Sequence, residues 1–292
     1  MKTLLHISKD AFLDWRKHNA HRLGAAIAYY ALFSIAPLLL FAIAIGAILF
    51  GRQSAQSYIV GQIQSVMGQS SAQAIQGMIG NARRPASGVI ATSFGAVILL
   101  LGASGVFSEL QDALNRIWDV DPRPRRSILR IIKDRFLTFA MVLAIGFLLL
   151  VSVVASTVLT AMGKFLVGPL PDSQYLLQAS NFILPFGVIT VLFAMVYKIL
   201  PETRIRWRDV WLGAAVGSFL FTVGKSLIGL YLAKSGIAST YGAAGSLVVI
   251  LVWVYWSTQI LLYGAEFAQV YSRRHGTQAA SKEISEGGQA PH

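Results

Sequence analysis

The chain has no cysteine, which excludes disulfides, thiolate metal sites and a Cys nucleophile. Charge is scarce as well. Asp, Glu, Lys and Arg make up 13% of 292 residues, where a soluble globular chain carries about 25%. Acids are the rarer sign, 13 against 25 basic residues. The histidines His6, His18, His21, His275 and His292 lie in the two tails, with no HExxH or other metal-ligand spacing. There is no P-loop and no GxSxG. Acidic residues gather only at Glu109, Asp112, Asp119 and Asp121. Glu109 and Asp112 share a helical face, but a nuclease metal site needs more converging oxygens and usually His. The block reads as a solvated cytoplasmic helix end. No catalytic residue, metal or cofactor is expected, and the chain is not expected to be an enzyme. The N-terminal 22 residues carry Lys2, Lys9, Asp10, Asp14, Arg16, Lys17 and Arg22 with no apolar segment before them, so they do not read as a signal peptide.

What the chain has is long apolar runs. It is 55% hydrophobic. Leu23 to Phe50 holds no formal charge. As a helix rising about 1.5 Å per residue it extends roughly 42 Å, and a hydrocarbon core is about 30 Å thick. Five further stretches are long enough to cross, at about 88–107, 136–160, 181–200, 210–232 and 244–268. The expected fold is all-α: a polytopic membrane protein of six transmembrane helices.

The net charge of +12 would suggest nucleic acid in a soluble protein. Its distribution points elsewhere. Residues 1–22 hold five Lys and Arg, 108–135 hold seven, 198–209 hold four and the C-terminal tail holds three. The alternate segments hold only Arg52, Arg83, Arg84, Lys164 and Lys234. Cytoplasmic loops collect Lys and Arg, so both termini are placed in the cytoplasm and the charge needs no nucleic acid. Trp118, Trp207 and Trp211 fall near cytoplasmic span ends, where aromatic belts form.

Residues 1–20 read as an amphipathic helix. Leu4, Ile7, Ala11 and Trp15 recur at helical spacing among basic residues, which suits a helix lying on an anionic leaflet. Residues 51–87 form the longest extracytoplasmic part. Tyr58, Ile59, Ile63, Val66 and Met67 form one apolar stripe, and Ala72, Ile75, Met78, Ile79 and Ala82 form another. Gly68, Ser70 and Ser71 separate them, so an extracytoplasmic amphipathic helical hairpin on the outer face is expected. Residues 271–292 read as a disordered cytoplasmic tail, without apolar pattern from 275 onward.

Several phrases are recognisable: AAIAYYALFSIAPLLL over 25–40, WRDVWLGA over 207–214, YGAAGSL over 241–247, WVYWS over 253–257 and YGAEF over 263–267. In that order, they resemble the YihY/virulence factor BrkB family of bacterial inner-membrane proteins over about 10–270. The resemblance implies six helices and an inner-membrane location. Some members carry the label ribonuclease BN, and transport has been suggested for others.

Within the spans a few polar residues stand out. Lys225 sits deep in the fifth span, where a cation costs about 2.5–3.5 kcal/mol on insertion scales. Ala214, Ser218 and Lys225 share a helical face, with Thr222 beside them. Lys225 is either a contact for a polar or anionic solute or a residue snorkelling to the outer interface. Glu266 is the only acid in a span and shares a face with Tyr255 and Gln259. It is either functional or bonded to a neighbouring helix end or a cytoplasmic Arg. Tyr30, Ser34 and Pro37 lie along one face of the first span, and Pro37 frees a carbonyl. That is a substrate-site device or a packing kink. Gly88, Gly95 and Gly102 recur every seven residues, and Gly213 and Gly217 form a GxxxG, which reads as helix packing within one chain or in a homo-oligomer. The leading functional expectation is a permease-like protein with a polar cavity between the first, fifth and sixth spans. The alternative is a non-transporting scaffold for envelope or lipid partners.

The charge asymmetry yields a direct test. Because the chain has no cysteine, a single introduced Cys is a unique label. Ser54→Cys is expected to react with an impermeant thiol reagent from the periplasm and Ser127→Cys is not. The reverse pattern overturns the orientation.

Overall fold

The computed structural model describes residues 2–67, 69–82, 102, 105–120, 173–203, 205–235 and 244–275. Among them every regular element is a helix. The helices are α1 (Lys2–Lys17), α2 (Ala20–Phe50), α3 (Arg52–Met67), α4 (Gln69–Ala82), α5 (105–117), α6 (Ser173–Ile199), α7 (Trp207–Lys234) and α8 (Gly245–His275). Trp207–Leu232 and Leu247–Arg274 are long and apolar enough to cross a membrane. The expected spans at 88–107 and 136–160 lie largely outside the described residues, as do Gly88, Gly95 and the segment beyond 275.

Boundaries differ from those the apolar runs suggest. α6 begins at Ser173, ahead of the apolar run at 181, because Gln174, Gln178 and Asn181 lower hydropathy without breaking a helix. α8 continues to His275, so residues 271–275 are helix and not tail. Arg273 and Arg274 place cations in the last turn of the helix, where the dipole favours them. α2 runs through Pro37 as one helix.

The chain divides into two compact units. One comprises 12–114 and 220–263. Its core joins Ile43 of α2, Ile75 and Ile79 of α4, Ile228 and Leu232 of α7, and Val249, Ile250 and Trp253 of α8. Leu32, Ile35 and Leu39 of α2 pack around it, as do Ile59, Val60 and Ile63 of α3. The α3–α4 hairpin thus buries its apolar faces against helix ends. Each fully buried Ile of α4 contributes about 1.5–3 kcal/mol relative to exposure in water. The roll of α3 is set where Ala55 meets Gly46, whose added Cβ would lie 3.0 Å from that of Ala55. This turns Tyr58 outward, away from the stripe in which its spacing places it. Desolvation raises its phenol above the usual pKa, while a bond from Gln62 Nε2 at 3.2 Å acts the other way.

The other unit comprises 1–11, 115–219 and 264–292. Its centre is a close approach of α6, α7 and α8. A Cβ on Gly213 would lie 2.6 Å from the Gly264 carbonyl oxygen and 2.9 Å from Ala268 Cα. A Cβ on Gly217 would lie 2.8 Å from Phe193 and 3.0 Å from Tyr197 Oη. A Cβ on Gly264 would meet Tyr197 Oη, and would lie 3.1 Å from Gly217 Cα. Trp118 is buried in this unit, 5% exposed, and so is not a member of an aromatic belt; Trp207 and Trp211 are exposed. The α5 helix ends in a turn that folds the Trp118 ring inward.

Gly264→Leu is therefore expected to lower stability by at least the 1–3 kcal/mol typical of overpacking, read as a fall in the thermal midpoint of the purified protein. Gly229, with nothing within 4 Å of an added Cβ, is the control. Gly229→Ala is expected to be neutral or slightly stabilising.

Candidate functional site

The polar residues of the spans fall into two separate groups, one in each unit. In the 12–114/220–263 unit α2 carries Tyr30 and Ser34. Ser34 is 8% exposed, and its hydroxyl donates back to the Ala31 carbonyl at 3.1 Å. A Cβ on Gly102 would lie 3.0 Å from that of Ser34, and one on Gly105 would lie 2.6 Å from Tyr30 Cγ. Gly102 and Gly105 thus let the backbone at these two positions approach these two side chains closely. On α8 Gln259 is 7% exposed and lies against α2, where a Cβ on Gly24 would come 3.1 Å from its Cδ. Its Nε2 reaches the Ala20 carbonyl at 3.5 Å, the outer limit of a hydrogen bond, and its buried Oε1 has no partner. Thr258 donates to Val254 O at 2.8 Å, so the polar side chain before Gln259 is tied to its own helix. Tyr255 is half-buried.

Lys225 is in the same unit, on α7. The exposed residues on one side of this helix are Phe219, Val223, Leu227 and Leu230, at 43–62% exposure. The buried residues Ala214, Ile228 and Leu232 mark the opposite side. Lys225 is three residues before Ile228 and seven before Leu232, which puts it on the buried side, and it is half-buried. Thr222, also half-buried, flanks it. On the same stretch Gly224 faces α8, where an added Cβ would lie 2.6 Å from Ile260 Cδ1.

Ser218 and Glu266 belong to the other unit, so the sequence-derived grouping of Ser218 with Lys225 and of Glu266 with Gln259 is divided between the two. Glu266 is fully buried on α8. Beyond it the same helix presents Gln269, 1% exposed, and Ser272, 2% exposed. Gln269 Nε2 donates to Asp119 Oδ2 at 3.4 Å, and Ser272 Oγ donates to Asp209 Oδ2 at 3.1 Å. Arg274 forms an ion pair with Asp10 of α1. Nearby, Lys198 donates to the Ile205 carbonyl and lies 5.9 Å from the Trp207 ring centroid, closing the α6–α7 turn. Asn115 Oδ1 accepts from the Glu202 backbone N–H at 2.8 Å. Gln269, Ser272 and Asp209 carry no signal in hydropathy, because polar residues at a span end read as solvated.

Among the described residues no three His, Asp or Glu side chains converge as metal ligands. Glu109 is half-buried and Asp112 is exposed.

Such apolar spans with buried polar side chains define a helical membrane protein. The family described as Virulence factor BrkB matches residues 11–286, and the chain belongs to that family. A UPF0761 membrane protein of Halorhodospira halophila is 33% identical over 180 residues, covering 61% of this chain and 38% of the relative. One from Pseudomonas paraeruginosa is 27% identical over 268 residues, covering 87% and 61%. The ribonuclease-like protein YfkH of Bacillus subtilis is 24% identical over 267 residues, covering 91% and 95%. The chain thus spans 38% and 61% of the length of the two UPF0761 relatives. No solved structure matches it.

Gln259 provides a test of the α2–α8 contact. A buried amide oxygen without a partner carries an uncompensated desolvation cost of about 1–3 kcal/mol. If Gln259 is only structural, Gln259→Leu is expected to hold or raise the thermal midpoint. A loss of more than about 3 kcal/mol would show a hydrogen-bonded role that these contacts do not contain.

Proposed function

We propose that the chain is a six-span, permease-like protein of the bacterial inner membrane, with both termini in the cytoplasm, that admits a small polar or anionic solute beside Lys225. The observation that carries this is the placement of Lys225 on the buried side of α7, opposite Phe219, Val223, Leu227 and Leu230. An ionisable side chain at membrane depth is costly and typically faces a bundle interior or a water-filled space. Thr222 on the same helix, Tyr30 and Ser34 on α2, and Gln259 on α8 supply hydroxyl and amide groups within the same unit. The unpartnered Gln259 Oε1 is an acceptor for a solute donor or for water. Solute contact at Lys225 would be electrostatic and, in a low-dielectric setting, stronger than at a protein surface. The name of the YfkH relative raises a ribonuclease reading, which needs a metal-binding or nucleophilic constellation; Glu109 and Asp112 alone do not make one.

The experiment is an anion-dependent thermal shift on purified protein, using inorganic phosphate, sulfate and small carboxylates as probes. A ligand at a hundredfold excess over its Kd stabilises by about 2.7 kcal/mol. The wild type is expected to respond to one of these anions, Lys225→Met to lose the response while keeping its basal midpoint, and Lys225→Arg to retain it. An equal response in Lys225→Met overturns the assignment.

A further inference from the structure

The N-terminal helix is oriented oppositely to what its spacing suggests. Ile7 is 1% exposed, Ala11 is fully buried and Trp15 is half-buried, so this side of the stripe faces protein. The Asp10–Arg274 ion pair ties the same helix to the end of α8. Fixed in this roll, α1 turns outward Leu5 at 68%, Phe12 at 49% and Leu13 at 52% exposure. Lys9 and Arg16 are exposed on the same face, at three- and four-residue spacings from those apolar side chains. Phe12 stacks on Trp15 with ring centroids 5.8 Å apart, which holds the Phe12 ring in place.

We infer that this outward face of α1, Leu5, Phe12 and Leu13 interleaved with Lys9 and Arg16, is seated in the headgroup region of an anionic leaflet. Three features select this occupant. The first is charge: the basic residues of the face are Lys9 and Arg16, and the acids Asp10 and Asp14 lie to the side, only half-buried. Cationic side chains among apolar ones suit phosphate above acyl chain, since their stems lie along apolar surface while their heads reach the phosphates. The second is reach. Only His18 and Asn19 separate α1 from α2, and Asn19 takes the left-handed conformation, φ 55°, that turns the chain sharply. A helix joined by two residues to the long apolar run of α2 begins close to wherever that run enters a bilayer. The third is the apolar area itself. Large hydrophobic side chains in water beside Lys and Arg have no other compensation in the described residues. The arrangement differs from the usual interfacial helix, in which apolar and basic residues occupy opposite faces.

The test uses the cysteine-free background. A nitroxide is attached at Leu5→Cys or at Leu13→Cys in the full chain, reconstituted in vesicles of phosphatidylcholine with or without phosphatidylglycerol. Collisions with oxygen and with a water-soluble nickel chelate are compared. With phosphatidylglycerol present, oxygen collisions are expected to exceed nickel collisions at both sites. This preference should fall about twofold without the anionic lipid. Lys9→Glu with Arg16→Glu, checked for an unchanged thermal midpoint, should abolish the dependence on composition. Equal access to both reagents in both vesicles places the face in water and overturns the inference. Exclusion of both reagents shows a protein surface or a second copy covering it, and overturns it equally. The composition dependence of the labelled chain decides the matter even if the double-charge variant misfolds.

Discussion

Lipid supplies no hydrophobic drive between helices, so apolar helices in a bilayer adhere only as closely as their backbones can approach. Gly213, Gly217 and Gly264 meet this constraint. Each is a position where a side-chain carbon would strike a neighbouring helix, in two cases its backbone. Through them α7 and α8 come close enough for main-chain contact, and Tyr197 of α6 inserts its phenol beside both Gly217 and Gly264. The tightly buried part of α8 around Leu262, Ala265 and Ala268 follows from that approach. Larger residues would separate the helices and with them the Glu266 carboxylate and the Gln269 amide that follow on α8.

The helix ends of the 1–11/115–219/264–292 unit use another kind of bond. There the contacts are polar and specific: Gln269 to Asp119, Ser272 to Asp209, Lys198 to the Ile205 carbonyl, Asn115 to the Glu202 amide. Burying a polar group is costly unless it is paired, and most of these pairings join segments distant in sequence. Apolar contact sets how near the helices lie, and these bonds set how they are registered. The 12–114/220–263 unit relies on isoleucine, leucine and valine instead, with the hairpin helix α4 completing a core that also includes Ile228, Leu232 and Val249.

The legible part of the fold is the part where one physical variable dominates. Hydropathy locates α7 and α8, because crossing a bilayer demands apolar residues and little else. GxxxG spacing on α7 is visible because close approach demands small residues. The same reasoning fails where two variables compete. It reads Leu4, Ile7, Ala11 and Trp15 as the membrane face of α1, since spacing reveals that a stripe is apolar but not what covers it. It starts α6 at 181, since hydropathy registers glutamines as loss of a span whereas a helix accepts them. It assigns Trp118 to a belt by position, although the ring is turned into the protein. Among polar residues Lys225 and Glu266 stand out because ionisable groups are rare in spans. Gln269 and Ser272 do not, because a polar residue near a helix end looks solvated until its acceptor on another segment is known. Gly102 was legible as packing, but not that it packs on Ser34.

The pairing of Asp10 with Arg274, 264 positions apart, bears on the order of assembly. The chain is made from its N-terminus, and Arg274 leaves the ribosome long after α1 and α2 have been synthesised. During that interval α1 lacks the ion pair to the end of α8. A helix synthesised early is thus locked late, waiting on the final turns of α8. A nascent chain arrested before that point would hold an N-terminal segment free to rotate, with either of its apolar faces open to the leaflet or to a chaperone.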